Sequence, residues 1–262
     1  MVYFCLMTHL PRLLNLKKSL GQHFLKDESI CRQIIDCLTQ NPFRQLLEIG
    51  PGAGALTKNL ISIKGVDFRA VEIDREKVAY LKNHYPSLED RIIEMDFLQM
   101  GKPFEGPFTI IGNFPYNIST EILFKVLEWR EDVERVIGMF QKEVAQRIAA
   151  SEGNKIYGVT SVLLQAFFKV EYLFEVSEQA FNPPPKVKSA VIRLTPNREP
   201  LPVRTEKMFF LLVKTAFNQR RKTLRNAVKG LFTEEVLKDP IFKQRAEQLS
   251  VLQFAELTWK MR

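Results

Sequence analysis

The sequence predicts an α/β fold, a mainly parallel sheet with helices on both faces, followed by a small all-helical domain. Three observations carry this. From Arg44 to Thr195, short apolar runs alternate with stretches of helical periodicity, the pattern of strands joined by crossover helices. A glycine-rich turn, "GPGAG", follows the first of these runs. After Thr195 the alternation stops, and the proline-punctuated linker "PNREPLPVR" leads into helical pattern only.

Taken in order, "QLLEIG" is a short apolar run closed by the glycine turn and reads as a buried strand, with "GALTKNLIS" as the helix after it. "FRAVEID" is the next strand and "REKVAYLKNH" the next helix. "RIIEMDF" and "PFTIIGNF" supply two more strands. The helix "STEILFKVLEWR" follows, with Ser119 or Thr120 as its expected N-cap. "VERVIGMF" reads as a strand, 144–150 and 159–168 as helices, and "VEYLFEV" and "SAVIRLTP" as the last strands. Only the proline-rich "FNPPPKVK" separates those two, so they are expected as an antiparallel pair at the sheet edge. In "FFLLVKTAFNQRRKTLRNAVKGL", Val213, Phe217, Leu224, Val228 and Leu231 fall on one face of a continuous helix. Lys214, Arg221, Arg225 and Lys229 form the neighbouring stripe. The expected organisation is a poorly ordered extension over 1–16, a sheet domain over 17–196 and a helical domain over 197–262.

Charge narrows the choice of partner. The chain carries a net charge of +8. Between Arg198 and Lys229 there are nine lysines and arginines, including Arg220 and Lys222, against two glutamates. Residues 1–26 hold four basic side chains, Lys17 and Lys18 among them, and no acid. Basic charge gathered in two segments suits a polyanion, with a solvated basic face as the bland alternative. Three cysteines (Cys5, Cys31, Cys37) show no CxxC spacing and three histidines are scattered, so no disulfide framework and no metal centre is expected. Free thiols fit a reducing cytoplasm. No apolar stretch approaches the length of a membrane span, and "MVYFCLMTHLPRLL" lacks the basic start and small-residue cleavage site of a signal peptide.

The glycine turn marks a ligand site. Gly50, Gly52 and Gly54 have G-x-G-x-G spacing, whereas a dinucleotide fingerprint needs G-x-G-x-x-G. Glu72, at the end of the second strand, is placed to accept hydrogen bonds from ribose hydroxyls. Asp96, at the end of the third, is placed for an adenine amino group. Taken singly, each has an ordinary reading as a turn or a solvated acid. Three in succession line the crevice where open α/β sheets bind ligands. No P-loop lysine follows the turn, so a nucleoside without a phosphate chain fits better, namely S-adenosylmethionine.

The fourth strand delivers Asn113-Phe114-Pro115-Tyr116 to the same edge. An adenine amine is a poor nucleophile because its lone pair is delocalised into the ring. The Asn113 amide oxygen and a main-chain carbonyl stiffened by Pro115 can each accept one of its N–H groups, which favours a tetrahedral nitrogen. Tyr116 can stack on the base. Positioning and electrostatics then supply the rate without a strong base.

These motifs together resemble the rRNA adenine N6-dimethyltransferases, specifically their bacterial small-subunit branch. The resemblance runs from Lys17 nearly to the C-terminus through "KKSLGQHFL", "EIGPGAGALT", "VEID", "GNFPYNIST", "FNPPPKVKSAVIRL" and "AFNQRRKTLRNAV". It implies a Rossmann-like class I methyltransferase sheet with a helical rRNA-binding domain. It implies that Gln22, His23 and Leu25 belong to a segment folding over the cofactor, and that Phe181 sandwiches the target base opposite Tyr116. Two departures stand out: Phe114 where the family usually has Leu, and His23 where it often has Asn. The implied reaction is dimethylation of two adjacent adenosines in a hairpin loop near the 3′ end of 16S rRNA, in the immature 30S subunit, by a cytoplasmic monomer. A large-subunit rRNA methylase is the alternative within enzymes, and "FNQRRKTLRNAV" speaks against it. A 30S assembly checkpoint, in which binding outweighs catalysis, is the alternative from another class.

Overall fold

The computed structural model describes residues 23–262. The expectations for 1–16, Lys17, Lys18 and Gln22 therefore lie outside the described residues. The chain runs through β1 (Phe24–Leu25), α1 (Glu28–Thr39), β2 (Gln45–Ile49), α2 (Thr57–Leu60), β3 (Asp67–Glu72), α3 (Arg75–His84) and β4 (Ile92–Glu94). It continues through β5 (Phe108–Asn113), α4 (Ser119–Glu128), β6 (Val133–Gln141), α5 (Lys142–Ile148), α6 (Val159–Gln165), β7 (Phe168–Val176), β8 (Phe181–Asn182) and β9 (Ser189–Pro196). The helices α7 (Glu206–Asn218), α8 (Leu224–Val228) and α9 (Val251–Leu257), with several 3-10 turns, complete it.

Seven strands form one sheet in the order β4-β3-β2-β5-β6-β9-β7. The first four pairings are parallel, and β9 is antiparallel to both β6 and β7. The sequence expectation of an antiparallel β7–β9 pair holds, but β9 is not at the margin. It inserts between β6 and β7 and leaves β7 as the edge. The chain steps outward from β2 to β4 and then returns to place β5 on the other side of β2. That reversal opens a crevice at the carboxyl ends of β2 and β5, where such sheets bind ligands.

Both faces are buried, and the alternation of side chains decides which core each residue joins. Leu46, Ile111 and Ile137 enter a core with Ile34, Leu38, Leu60 and Leu81 of α1–α3. Their neighbours Leu47, Ile110 and Val136 enter a second core with residues of α4–α7 and α9. Because both faces are covered, both alternating sets of side chains are apolar, which is why the strands read as continuous apolar runs.

Four local features differ from the sequence expectations. Helix α1 lies before Arg44, ahead of the alternating strands and helices the sequence predicts. Asp27 caps it by accepting from the Ser29 N–H at 2.9 Å, and Arg135 and Arg193 donate to carbonyls at its other end. Helix α2 is one turn rather than two, since the glycine turn itself extends through 52–56. Neither Ser119 nor Thr120 caps α4: Ile118 is the N-cap residue and no side chain caps it. The continuous helix expected from 209 to 231 is broken at 219–223 into α7 and α8. Its apolar positions Val213, Leu224 and Val228 are buried as expected, but Lys214, Arg221, Arg225 and Lys229 do not share one helical stripe.

Candidate active site

The carboxyl ends of β2, β3, β4 and β5 open on a cavity of about 250 Å³. Gly50, after β2, takes φ 68° and Gly52 φ 58°, left-handed values that favour glycine. A side chain on Gly52 would also meet the ring of Phe24 at 3.2 Å. The turn is held from β3, where the Glu72 carboxylate accepts from the Gly52 N–H at 3.2 Å and the Asp74 N–H at 3.0 Å. Asp74 in turn pairs with Lys77 at 3.1 Å, both fully buried, and the Lys77 ammonium lies 5.4 Å from the centre of the Phe24 ring. Glu72 is 6% exposed, and burial pushes its pKa up against the two backbone N–H bonds.

Asp96 stands two residues past β4 as the N-cap of a 3-10 turn, accepting from the Leu98 N–H at 2.9 Å. Beside it, Ile73 and Met95 are among the largest exposed apolar side chains described, and both line the cavity. Two apolar walls next to a carboxylate make a slot for a flat heterocycle that carries an amino group. The sequence reading missed them, although their positions, one after Glu72 and one before Asp96, were visible.

Glu48 was also missed. It lines the cavity, is 2% exposed, and accepts from the Thr57 hydroxyl at 2.7 Å. Burial, opposed by the Thr57 hydrogen bond and reinforced by Glu72, pushes its pKa up to about 8. Its buried place in an apolar strand made it look like part of the core pattern.

The strand-end motif after β5 forms the opposite wall. Asn113 Nδ2 donates to the main-chain carbonyl of His23 at 3.1 Å. A carbonyl only accepts, so this bond leaves Asn113 Oδ1 as the free acceptor of the amide. Pro115 closes the turn, with its own carbonyl accepting from the Ile118 N–H at 3.2 Å. A further main-chain acceptor there is the Phe114 carbonyl, which belongs to the Phe114–Pro115 amide itself. The Tyr116 hydroxyl bonds to the Ser189 hydroxyl, and burial raises its pKa.

Phe114 is 1% exposed and packs edge-on against Phe140, with ring centres 5.0 Å apart. Its ring occupies space left by Gly112 and Gly138, which are direct partners across β5 and β6. A Cβ on Gly138 would lie 2.7 Å from the Phe114 ring. The departure from leucine is accommodated there.

His23, Leu25, Gly50, Gly52, Glu72, Asp96, Asn113, Pro115 and Tyr116 thus line one cavity. Phe181 does not. It is completely buried, because β1 and β8 pair antiparallel with Leu25 opposite Phe181 and both turn into the core. In this structure Phe181 is therefore not placed across the cavity from Tyr116 as expected; the ring described beside Tyr116 is that of His23, with centres 5.5 Å apart.

Among the basic residues, Lys214, Arg221, Lys222, Arg225 and Lys229 are exposed. Arg220 is only partly so, as it donates to the Lys155 carbonyl and lies 3.8 Å from Glu247. Arg225 lies 3.6 Å from Glu234, both exposed. None of these residues lines the cavity.

The donor set fits S-adenosylmethionine. Among the described residues, the ionisable side chains lining the cavity are His23, Tyr116 and the carboxyls of Glu48, Glu72 and Asp96, with no lysine or arginine, which suits a cationic nucleoside and not a phosphate chain. Bound there, the cofactor supplies an electrophilic methyl group.

Comparison with known proteins gives the family and supports the fold. The ribosomal RNA adenine dimethylase family matches residues 13–259. A ribosomal RNA small subunit methyltransferase A from Cytophaga hutchinsonii is 56% identical over 247 residues, covering 92% of this chain and 95% of that protein. The protein of the same name from Phocaeicola vulgatus is 53% identical, covering 92% and 88%. The crystal structure of a dimethyladenosine transferase from Plasmodium falciparum shares the fold with a TM-score of 0.76 at 24% identity, over 91% of this chain and 98% of that one. With the family matched over nearly the full length and more than half of all aligned positions shared with these bacterial relatives, the chain belongs to the ribosomal RNA adenine dimethylases.

Proposed function

We propose that the enzyme uses S-adenosylmethionine to dimethylate two adjacent adenosines in the hairpin loop near the 3′ end of 16S rRNA, four transfers in all. The substrate is rRNA within the immature 30S subunit, and the protein acts as a cytoplasmic monomer. Residues 17–196 serve as the methyltransferase domain and 197–262 as the rRNA-binding domain. No helix among the described residues is long and apolar enough to cross a membrane.

The observation that carries the chemistry is the orientation of the Asn113 amide. Its Nδ2 is committed to His23, so Oδ1 accepts one N–H of the target amine. The Phe114 carbonyl, stiffened by the following proline, accepts the other. Together they draw the nitrogen lone pair out of conjugation. No catalytic base is needed, because the amine becomes acidic once alkylated and gives its proton to solvent. Tyr116 holds the base in plane, with its hydroxyl anchored on Ser189. Glu72 takes the ribose hydroxyls, Asp96 the adenine amine, and Ile73 and Met95 flank the ring. A loop substrate suits the site, since its bases are already partly unstacked and one is extruded at lower cost than from a duplex.

Mass spectrometry of 16S rRNA from a strain lacking this gene tests the reading. Loss of four methyl groups from one hairpin, restored by the wild-type gene, is expected. A fully methylated hairpin in that strain overturns it. A 30S checkpoint role is compatible, and an Asn113→Ala variant that still binds 30S separates the two.

A further inference from the structure

The loop between β8 and β9 is fastened at both ends to the wall of the active site. At its start, His23 Nδ1 donates to the Pro183 carbonyl at 2.9 Å. At its end, the hydroxyl of Ser189 is bonded to that of Tyr116. The run Pro183-Pro184-Pro185 restricts the chain between them, and Pro185 is buried. The Lys142 N–H also holds the Lys188 carbonyl at 2.9 Å.

Between these anchors the segment Lys186-Val187-Lys188 stands outside. Both lysines are exposed, and Val187 is 45% exposed. Lys186 forms no ion pair among the described residues. Lys188 faces Glu175, whose carboxylate is already paired with Lys142 at 2.6 Å, so the patch keeps an excess of positive charge. Val187 is two residues from Ser189, at most about 7 Å of chain. A side chain fastened to Tyr116 thus adjoins an exposed apolar residue flanked by two cations.

We propose that Lys186, Val187 and Lys188 grip the RNA strand on either side of the target adenosine. The lysines bind the flanking phosphates, and Val187 covers the face of the neighbouring base that the extruded adenine leaves unstacked. This rests on the reading of rRNA as substrate. Charge selects a polyanion, and the single apolar side chain between the cations selects unstacked bases over a regular duplex. The rigid mounting matters as much as the charge: a loop anchored on Tyr116 and His23 keeps the phosphate contacts in register with the base pocket.

The test is methyl-transfer kinetics on 30S particles lacking these methyl groups, across a salt series, with Lys186→Gln/Lys188→Gln and, separately, Val187→Asp. The lysine pair should raise the KM for the particle at least several-fold and flatten its log–log salt dependence by about 1.4, roughly 0.7 per phosphate contact on a single strand. Cofactor affinity by calorimetry should match wild type, and Lys186→Arg/Lys188→Arg should restore the slope. Val187→Asp should raise KM without changing the melting temperature. Variants that match an active wild type in KM and slope overturn the grip alone. A wild-type enzyme that leaves the particle unmethylated overturns the substrate reading beneath it.

Discussion

Asn113 and His23, ninety residues apart in the chain, are joined by one hydrogen bond of 3.1 Å from the side-chain amide to the main-chain carbonyl. The bond ties the segment that enters the cavity first to the strand-end turn that faces it. It also leaves the amide oxygen as the acceptor that the proposed mechanism directs at the target amine. In the proposed mechanism, the placement of His23 and the catalytic geometry therefore depend on the same contact.

Replacing Asn113 by Ala should consequently have two effects. The transfer rate should fall about 100- to 1,000-fold, the range seen when one oriented hydrogen-bonding group is removed from a transition state. Cofactor affinity should fall by a smaller factor, since the tether to His23 contributes only about 1 kcal/mol. Single-turnover rates at saturating substrate, with calorimetry in parallel, check both. Normal transfer speed would remove the amide from the mechanism.

Glu72→Ala and Asp96→Ala should weaken S-adenosylmethionine binding by about 10- to 100-fold, a hydrogen bond to a charged group being worth about 1.5–3 kcal/mol. Glu72→Ala should be the more damaging, because the same carboxylate holds the Gly52 N–H and so shapes the turn. Calorimetry on the folded variants decides, and equal losses would mean that the turn stands without Glu72.

Glu48 makes stability depend on pH. Its pKa lies near 4.5 when unfolded and at about 8 in the native protein, where burial favours the neutral form. The native state thus binds more protons than the unfolded state between these values, and unfolding free energy falls as pH rises through that window. The contribution is complete below about pH 4.5 and lost above about pH 8. Glu48→Gln preserves the acceptor for Thr57 and should flatten this decline. Melting temperatures from pH 5 to pH 8.5 measure it. A variant with the wild-type pH slope would show that Glu48 is ionised in the native state.

Gly138→Ala should destabilise the protein by about 1–3 kcal/mol, the usual cost of overpacking. The new methyl would press on the rings of Phe114 and Phe140. Combining it with Phe114→Leu should recover part of the loss, since the two sites are in contact. Denaturant titrations of both single variants and the double variant would reveal the coupling. Simple additivity would mean that the Phe114 ring does not fill the space above the two glycines.

Arg221→Ala with Lys222→Ala should lower the log–log salt slope of 30S binding by up to about two, with cofactor affinity unchanged. Both side chains are exposed and neither has an ion-pair partner among the described residues. Arg220→Ala should instead act on the fold, because Arg220 is bonded to the Lys155 carbonyl. An unchanged slope in the double variant would leave the charge as a solvated surface.

The strands, their crossover helices and the polar groups at strand ends were legible in the chain because each rests on neighbours in sequence. A buried strand is a short apolar run, and a residue that ends it, such as Glu72 or Asn113, is marked by breaking that run. Ile73 and Met95 were legible in position but not in role, since an apolar residue beside a strand is ordinarily core. Helix α1 carries a legible pattern of its own, with Cys31, Ile34 and Leu38 at i, i+3 and i+7 behind the Asp27 cap. What local pattern cannot carry is pairing between distant segments. The opposition of Leu25 to Phe181 sends Phe181 into the core, and the insertion of β9 between β6 and β7 decides which strand is the edge. The Asn113 amide takes its direction from the His23 carbonyl, just before β1, and the break at 219–223 scatters a charge stripe that periodicity alone had aligned. Periodicity records which face of an element is apolar; only the contacts between elements decide what that face meets and where its polar groups point.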